Sequence, residues 1–135
     1  MFSFCWKSRY SVGIKVLDSQ HQAFMGRLNE LHEAMMGGNV NDAAGPLITT
    51  LVALAREHFA TEEDLMQSTG YPGLAEHRAH HEELTAKVGE FIARYQRGDK
   101  TVYANFMYFV RDWLTRHMEK EDRDYAPWLA GHGIH

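Results

Sequence analysis

The chain has 135 residues, 44% of them hydrophobic, so a single domain with a real core is expected. Fourteen basic against eighteen acidic residues give a net charge of -4, which argues against a nucleic-acid surface. A lone cysteine, Cys5, excludes an internal disulfide framework; no apolar run is long enough for a membrane, and no signal peptide opens the chain, so a cytoplasmic protein is expected.

Residues 1–17 show no helical period. Trp6, Tyr10, Val12, Ile14 and Val16 predict an extended arm lying across one end of the core. The first helix is expected over 18–36, with Asp18 or Ser19 as N-cap and Gly37-Gly38 as its stop. His21, Met25, Leu28, Leu31 and Met35 share one face of it. The second is expected over 40–68, with Pro46 at its start or in its first turns. Its stripe runs Leu47, Leu51, Leu54, His58, Glu62, Leu65 and Met66. Ser68 to Gly73 reads as a loop.

The third helix, over 74–97, repeats Leu74, His77, His81, Leu84, Val88, Phe91 and Tyr95 at alternating three and four. Gly98-Asp99-Lys100 ends it. The fourth, over 102–121, carries Tyr103, Phe106, Val110, Trp113 and His117, with Leu114 beside them, and Pro127 is expected to prevent its continuation. Helices of similar length joined by short loops predict an all-α, antiparallel up-down-up-down four-helix bundle in one domain, 1–135.

Each stripe contains residues that do not belong in an apolar seam. The clearest is His58-x-x-x-Glu62, an imidazole and a carboxylate on one helix face. An unpaired polar group there costs roughly 2–7 kcal/mol, so it must be paired or coordinated. The full set is His21, His58, Glu62, His77, His81, His117 and Asp122. In an antiparallel bundle the start of one helix faces the end of the next. His21, His77 and His81 are early in their helices, whereas His58, Glu62, His117 and Asp122 are late. All of them therefore converge at one end. Any one of these histidines alone reads better as a hydrogen-bonded core residue; the set at one level does not. His80, His132 and His135 read as surface residues, with Glu76 in reach of His80.

The ligand count points to two metals. Five imidazoles and two carboxylates are too many for a tetrahedral zinc, which takes about four ligands. Two octahedral ions offer about twelve positions; the imidazoles fill about five, two bridging carboxylates about four and a shared oxo or hydroxo about two. About one position is left open, which suits a small diatomic ligand. Imidazole-rich ligation suits iron, although zinc, copper and nickel also accept it. The spacing of five from His117 to Asp122 points the two residues apart on an ideal helix, so a distorted last turn or a π-bulge is expected there.

The pattern His21, His58-x-x-x-Glu62, His77-x-x-x-His81, His117-x-x-x-x-Asp122 resembles the hemerythrin family in its bacterial branch. The resemblance covers nearly the whole chain. It implies a non-haem di-iron centre bridged by Glu62, Asp122 and an oxo or hydroxo group. His77, His81 and His117 would saturate one iron, and His21 and His58 would hold the other, which keeps the vacancy. It further implies reversible dioxygen binding for storage, delivery or buffering, and not an enzyme. Phe59, Trp113, Leu114 and Met118 look like the family's apolar wall around the oxygen site. Nitric oxide and azide-like anions are further ligands of such a site. The other function implied is sensing of oxygen, redox state or nitric oxide through a separate partner protein.

Overall fold

The computed structural model describes residues 5–37, 40–99 and 102–135. Residues 1–4 of the expected arm, Gly38 and Lys100 of the expected stops, and the side chains of Met35 and Tyr103 lie outside the described residues. A short 3-10 turn, Ser8–Tyr10, precedes the helices α1 (Lys15–Met36), α2 (Val40–Thr69), α3 (Leu74–Gln96) and α4 (Val102–Arg116). A π turn, His117–Glu121, then leads without a break into α5 (Asp122–Gly131). The long helices form an antiparallel bundle, and no strand occurs among the described residues. No helix among them is long and apolar enough to cross a membrane.

The seams build the core as their period requires. Met25, Leu28 and Leu31 of α1 meet Ile48 and Leu51 of α2, Leu84 of α3, and Phe106, Met107 and Val110 of α4 in one buried cluster. A second, smaller cluster lies beyond the polar seam residues. It joins Val12 and Ile14 of the arm to Leu17, Met66, Tyr125 and Leu129.

The start of α1, the arm and the passage through Pro127 differ from expectation. Helix α1 starts at Lys15, a turn before Asp18, so Asp18 is not its N-cap. Its carboxylate instead accepts from the Ser11 hydroxyl (2.6 Å) and the Val12 N–H (2.9 Å), tying the arm to the helix. Gly13, at φ +75°, supplies the left-handed residue for the turn between them. The arm is correspondingly shorter than expected and only partly extended, and Val16 is a half-exposed helical residue.

Pro46, the seventh residue of α2, lies in its first turns, as expected. At the other end of the chain, Pro127 does not stop the helix. Proline there leaves the Arg123 carbonyl without its helical donor. Arg123 and Pro127 are both exposed, and water can serve that carbonyl, while Tyr125 and Leu129 on the opposite face are fully buried. Their burial outweighs the local loss.

Candidate metal centre

Four elements bring the polar seam residues to one level. α1 supplies His21, α2 His58 and Glu62, α3 His77 and His81, and the π turn with its exit His117 and Asp122. None of these residues is more than 5% exposed. The spacing of five is accommodated by the π turn, in which the Asp122 N–H bonds the His117 carbonyl. That i→i+5 geometry swings Asp122 back towards the face of His117, a known use of such turns at functional sites.

The donor atoms fall into two overlapping groups. One atom from each of His21, His58, Glu62, His117 and Asp122 lies within 4.8 Å of every other, and so do single atoms of Glu62, His77, His81 and His117. Glu62 is central. Its Oε1 lies against His58 Nε2 and 3.1 Å from His117 Nε2, and its Oε2 is 2.5 Å from His77 Nε2 and 3.6 Å from His81 Nε2. Asp122 faces His21 Nε2 at 3.1 Å through one oxygen and His117 Nε2 at 2.9 Å through the other.

These contacts are poor substitutes for hydrogen bonds. Both Asp122 oxygens and His81 Nε2 are buried without a hydrogen-bond partner. Such orphans are rare, because each one costs its desolvation. His21 Nε2 and His58 Nε2 also face each other at 2.8 Å, where two lone pairs repel unless a proton or a cation lies between them. Two buried carboxylates and converging imidazole nitrogens suit multivalent cations. The residues present therefore fit metal binding.

Several imidazoles are aimed by a second residue. His58 Nδ1–H donates to Gln20 Oε1 (2.8 Å), His81 Nδ1–H to Glu63 Oε2 (3.0 Å), and His117 Nδ1–H to Glu121 Oε2 (3.0 Å). Each bond leaves Nε2 as the lone-pair nitrogen pointing inwards, as a ligand histidine requires. Ring stacking adds to this: Phe59 lies parallel to His81 at 3.9 Å, and Trp113 to His117 at 4.6 Å.

The electrostatics reflect the crowding. Burial pushes the Glu62 carboxyl up, but the imidazoles of His58 and His117 outweigh it and hold the group well below its ordinary value. Burial pulls His117 down, and the Asp122 and Glu62 carboxylates more than reverse that, raising it well above. At His58 burial wins and lowers the imidazole, with Glu62 offsetting only part.

Gln20, Glu63, Glu121 and Tyr125 were not foreseen. The first three each adjoin a candidate ligand in sequence, which is the only signal the sequence carries for them. Tyr125 is fully buried, three residues past Asp122, with its ring edge-on to His77. His80 reaches Glu121 (3.6 Å) in place of the expected Glu76, and His132 and His135 are exposed.

A small chamber of about 20 Å³ abuts the centre. His21 and His58 are the only donor-group residues on its wall, which also includes Phe59, Trp113 and Leu114. Phe24, Ala55, Leu84 and Val110 line it too, and these were not expected. Met118, expected in the wall, is fully buried but does not line the chamber.

Comparison with known proteins agrees with this arrangement. The family model described as the hemerythrin HHE cation binding domain matches residues 12–129. A bacteriohemerythrin of Stenotrophomonas maltophilia is 33% identical, over 94% of this chain and 82% of its own length. A hemerythrin of Sipunculus nudus is 32% identical, with 90% of each chain covered. The crystal structure of a wild-type hemerythrin superimposes with a TM-score of 0.86 at 30% identity, covering 94% of this chain and 98% of that one.

Proposed function

The chain belongs to the hemerythrin family, and from that premise we propose that it binds dioxygen reversibly at a pair of iron ions, for storage, delivery or buffering in the cytoplasm. In this reading His77, His81 and His117 complete one ion, and His21 and His58 hold the other. Glu62 and Asp122, which lie between the two sets of imidazoles, would contribute to holding both. When bound, the ferrous pair supplies the electrons that make dioxygen a ligand.

The observation that carries this reading is the position of the chamber. It touches His21 and His58 and none of His77, His81 and His117. The apolar berth therefore lies beside the ion that His21 and His58 would hold, where a small diatomic ligand would find room. Phe59, Trp113 and Leu114 exclude water from the berth. A dry wall disfavours departure of a charged reduced oxygen species, which keeps binding reversible. Apart from the two ligand imidazoles, the wall offers no acid or base for turnover, which supports binding over catalysis. Nitric oxide and azide-like anions would compete for the same berth.

The test is anaerobic loading with ferrous iron, followed by oxygen. Two irons per chain and an oxygen-dependent charge-transfer band that disappears under vacuum are expected. One iron or none per chain, or irreversible oxidation within the first cycle, overturns the reading.

A further inference from the structure

A second hollow borders the centre and shares no wall residue with the chamber. It has a volume of about 60 Å³ and lies between the start of α3 and the exit of the π turn. His77 is the candidate ligand on its wall, where the chamber has His21 and His58. Its character is the reverse of the chamber's. Glu76, Glu121 and Asp124 line it with His80, and no lysine or arginine does. Glu121 is shared with His80 and Arg116, each at 3.6 Å, but Glu76 and Asp124 have no ion-pair partner among the described residues. Burial, then the Asp124 and Glu76 carboxylates, push the Tyr71 phenol at the rim up, as a negative potential must.

Exposed carboxylates by themselves are ordinary solvated charge. His77, only 5% exposed, is what distinguishes this hollow. Its Nε2–H donates inwards to Glu62 Oε2 at 2.5 Å, because an ionised carboxylate can only accept. The lone pair of the neutral ring is therefore on Nδ1, and Nδ1 has no hydrogen-bond partner among the described residues. His58, His81 and His117 are turned the other way, with Nδ1 bonded to a side chain and Nε2 facing the donor groups. Of these four rings, His77 is the one that keeps a ligand nitrogen for the hollow.

We propose that this hollow is a receiving site for divalent cations, where a hydrated ferrous ion is gathered by Glu76, Glu121 and Asp124 and met by His77 before it enters the centre. The inference rests on metal binding at the centre, the first part of the function proposed above, and adds how the ions arrive. Carboxylate and imidazole both suit such an ion. The site is a loose one. Among the described residues, donor atoms crowd within 4.8 Å of one another only in the two groups of the centre. An ion in the hollow thus keeps most of its water and is free to move on. Glu121 also accepts from His117 Nδ1–H at 3.0 Å. The hollow therefore touches two of the three imidazoles assigned to one ion, His77 directly and His117 through Glu121. Cations arrive by a charged wall, apart from the apolar berth.

Anaerobic uptake of ferrous ion by the full metal-free chain, quenched at intervals with a chelator and counted as iron per chain, tests this. Glu76→Gln combined with Asp124→Asn removes two exposed charges and alters no candidate ligand. Uptake should slow by about tenfold at low ionic strength, within the range by which charged clefts raise association rates. At roughly 1 M salt, where screening acts over about 3 Å, variant and native rates should converge. Both chains should end at two irons. Glu33→Gln with Glu90→Gln, which removes the same charge away from the hollow, should keep the native rate at every salt concentration. Native uptake in the first variant overturns the receiving site and leaves the function standing. So does equal slowing in the control pair, which would make it an effect of net charge. Slowing that persists at high salt would make it an effect of structure, and a final count below two would place Glu76 or Asp124 in the permanent centre; either result overturns the receiving site as well. Failure of the native chain to take up iron overturns the function, and the receiving site with it.

Discussion

The polar layer divides the interior into two apolar regions of unequal size. On one side, among the described residues, fourteen buried side chains from the arm, all four long helices and the π turn form the main core. On the other, six form a cap from the arm, the start of α1, the end of α2 and α5. In three stretches a seam residue separates the two regions: from cap to core, Leu17, His21, Met25 in α1; Met66, His58, Leu51 in α2; and Tyr125, Asp122, Trp113 from α5 into α4. The core is large enough to hold the helices together unaided. The cap meets the core across the seven candidate ligands, so metal bound there is expected to order it. This asymmetry predicts which changes affect the metals and which affect the fold.

The largest effect is expected at Glu62, whose carboxylate enters both donor groups. Glu62→Ala should abolish the paired-iron spectrum and leave at most one iron per chain. Far-ultraviolet circular dichroism should stay close to native, because the main core lies outside the polar layer. Retention of two irons would show that Asp122 bridges alone.

A matched pair of leucines compares the two regions directly. Leu28, in the core, and Leu129, in the cap, are both fully buried. Leu28→Ala should cost about 2–5 kcal/mol, with or without metal, as a cavity in a packed core does. Leu129→Ala should cost markedly less without metal and approach that range only when metal has ordered the cap. Chemical denaturation with and without a chelator measures both. Equal losses in the metal-free protein would show one continuous core.

How much of this was legible depends on range. The seams were readable, because a period of three and four places His21 with Leu28 and His77 with Leu84 whatever lies opposite. The π turn was readable for a geometric reason: residues five apart share a face only if the helix is distorted. The partners that aim the imidazoles were not. Gln20 reaches His58, and Glu63 reaches His81, across helix boundaries that depend on register. The passage of α5 through Pro127 was hidden as well, since local propensity there yields to burial of Tyr125 and Leu129 in the cap. Of the cap, Val12 and Ile14 of the arm and Met66 of the second stripe were readable; Tyr125 and Leu129 were not, because they lie past a proline expected to end the helix.

Acid should separate the two regions next. In the metal-loaded protein, protons compete for the imidazoles near and below the ordinary histidine value of about 6.5, so iron should leave on acidification. In the metal-free protein the groups act in opposite directions. His117 is raised, so its contribution is complete below about 6.5 and is lost as pH rises through its folded value. His58 is lowered, so its contribution is present above about 6.5 and fades as pH falls. Glu62 and Asp122 are lowered, and their contribution is lost below the ordinary carboxylate range. Metal-free stability should therefore peak near pH ~6.5 and fall on both sides. A monotonic rise to pH 8 in denaturation midpoints would show that His117 is not held charged by its carboxylates.

The smallest effect is expected where cap and ligand layer touch, at the Tyr125 hydroxyl. Burial, then the Asp122 and Glu62 carboxylates, push this phenol well above its ordinary value, so it remains an O–H donor. Yet the hydroxyl has no hydrogen-bond partner of good geometry, although both carboxylates are near. Removing a buried donor that is not bonded removes little, and can even relieve its desolvation. The ring contributes the packing, edge-on to His77 at 5.0 Å and to Tyr71 at 6.1 Å, and phenylalanine preserves both contacts. Tyr125→Phe should thus change stability by less than about 1 kcal/mol and keep two irons. A loss nearer ~2–3 kcal/mol would place the hydroxyl in a charge-assisted bond to a bridging carboxylate, because bonds to charged groups are worth that much. The cap would then be fastened to the metal layer by a side chain as well as by the backbone.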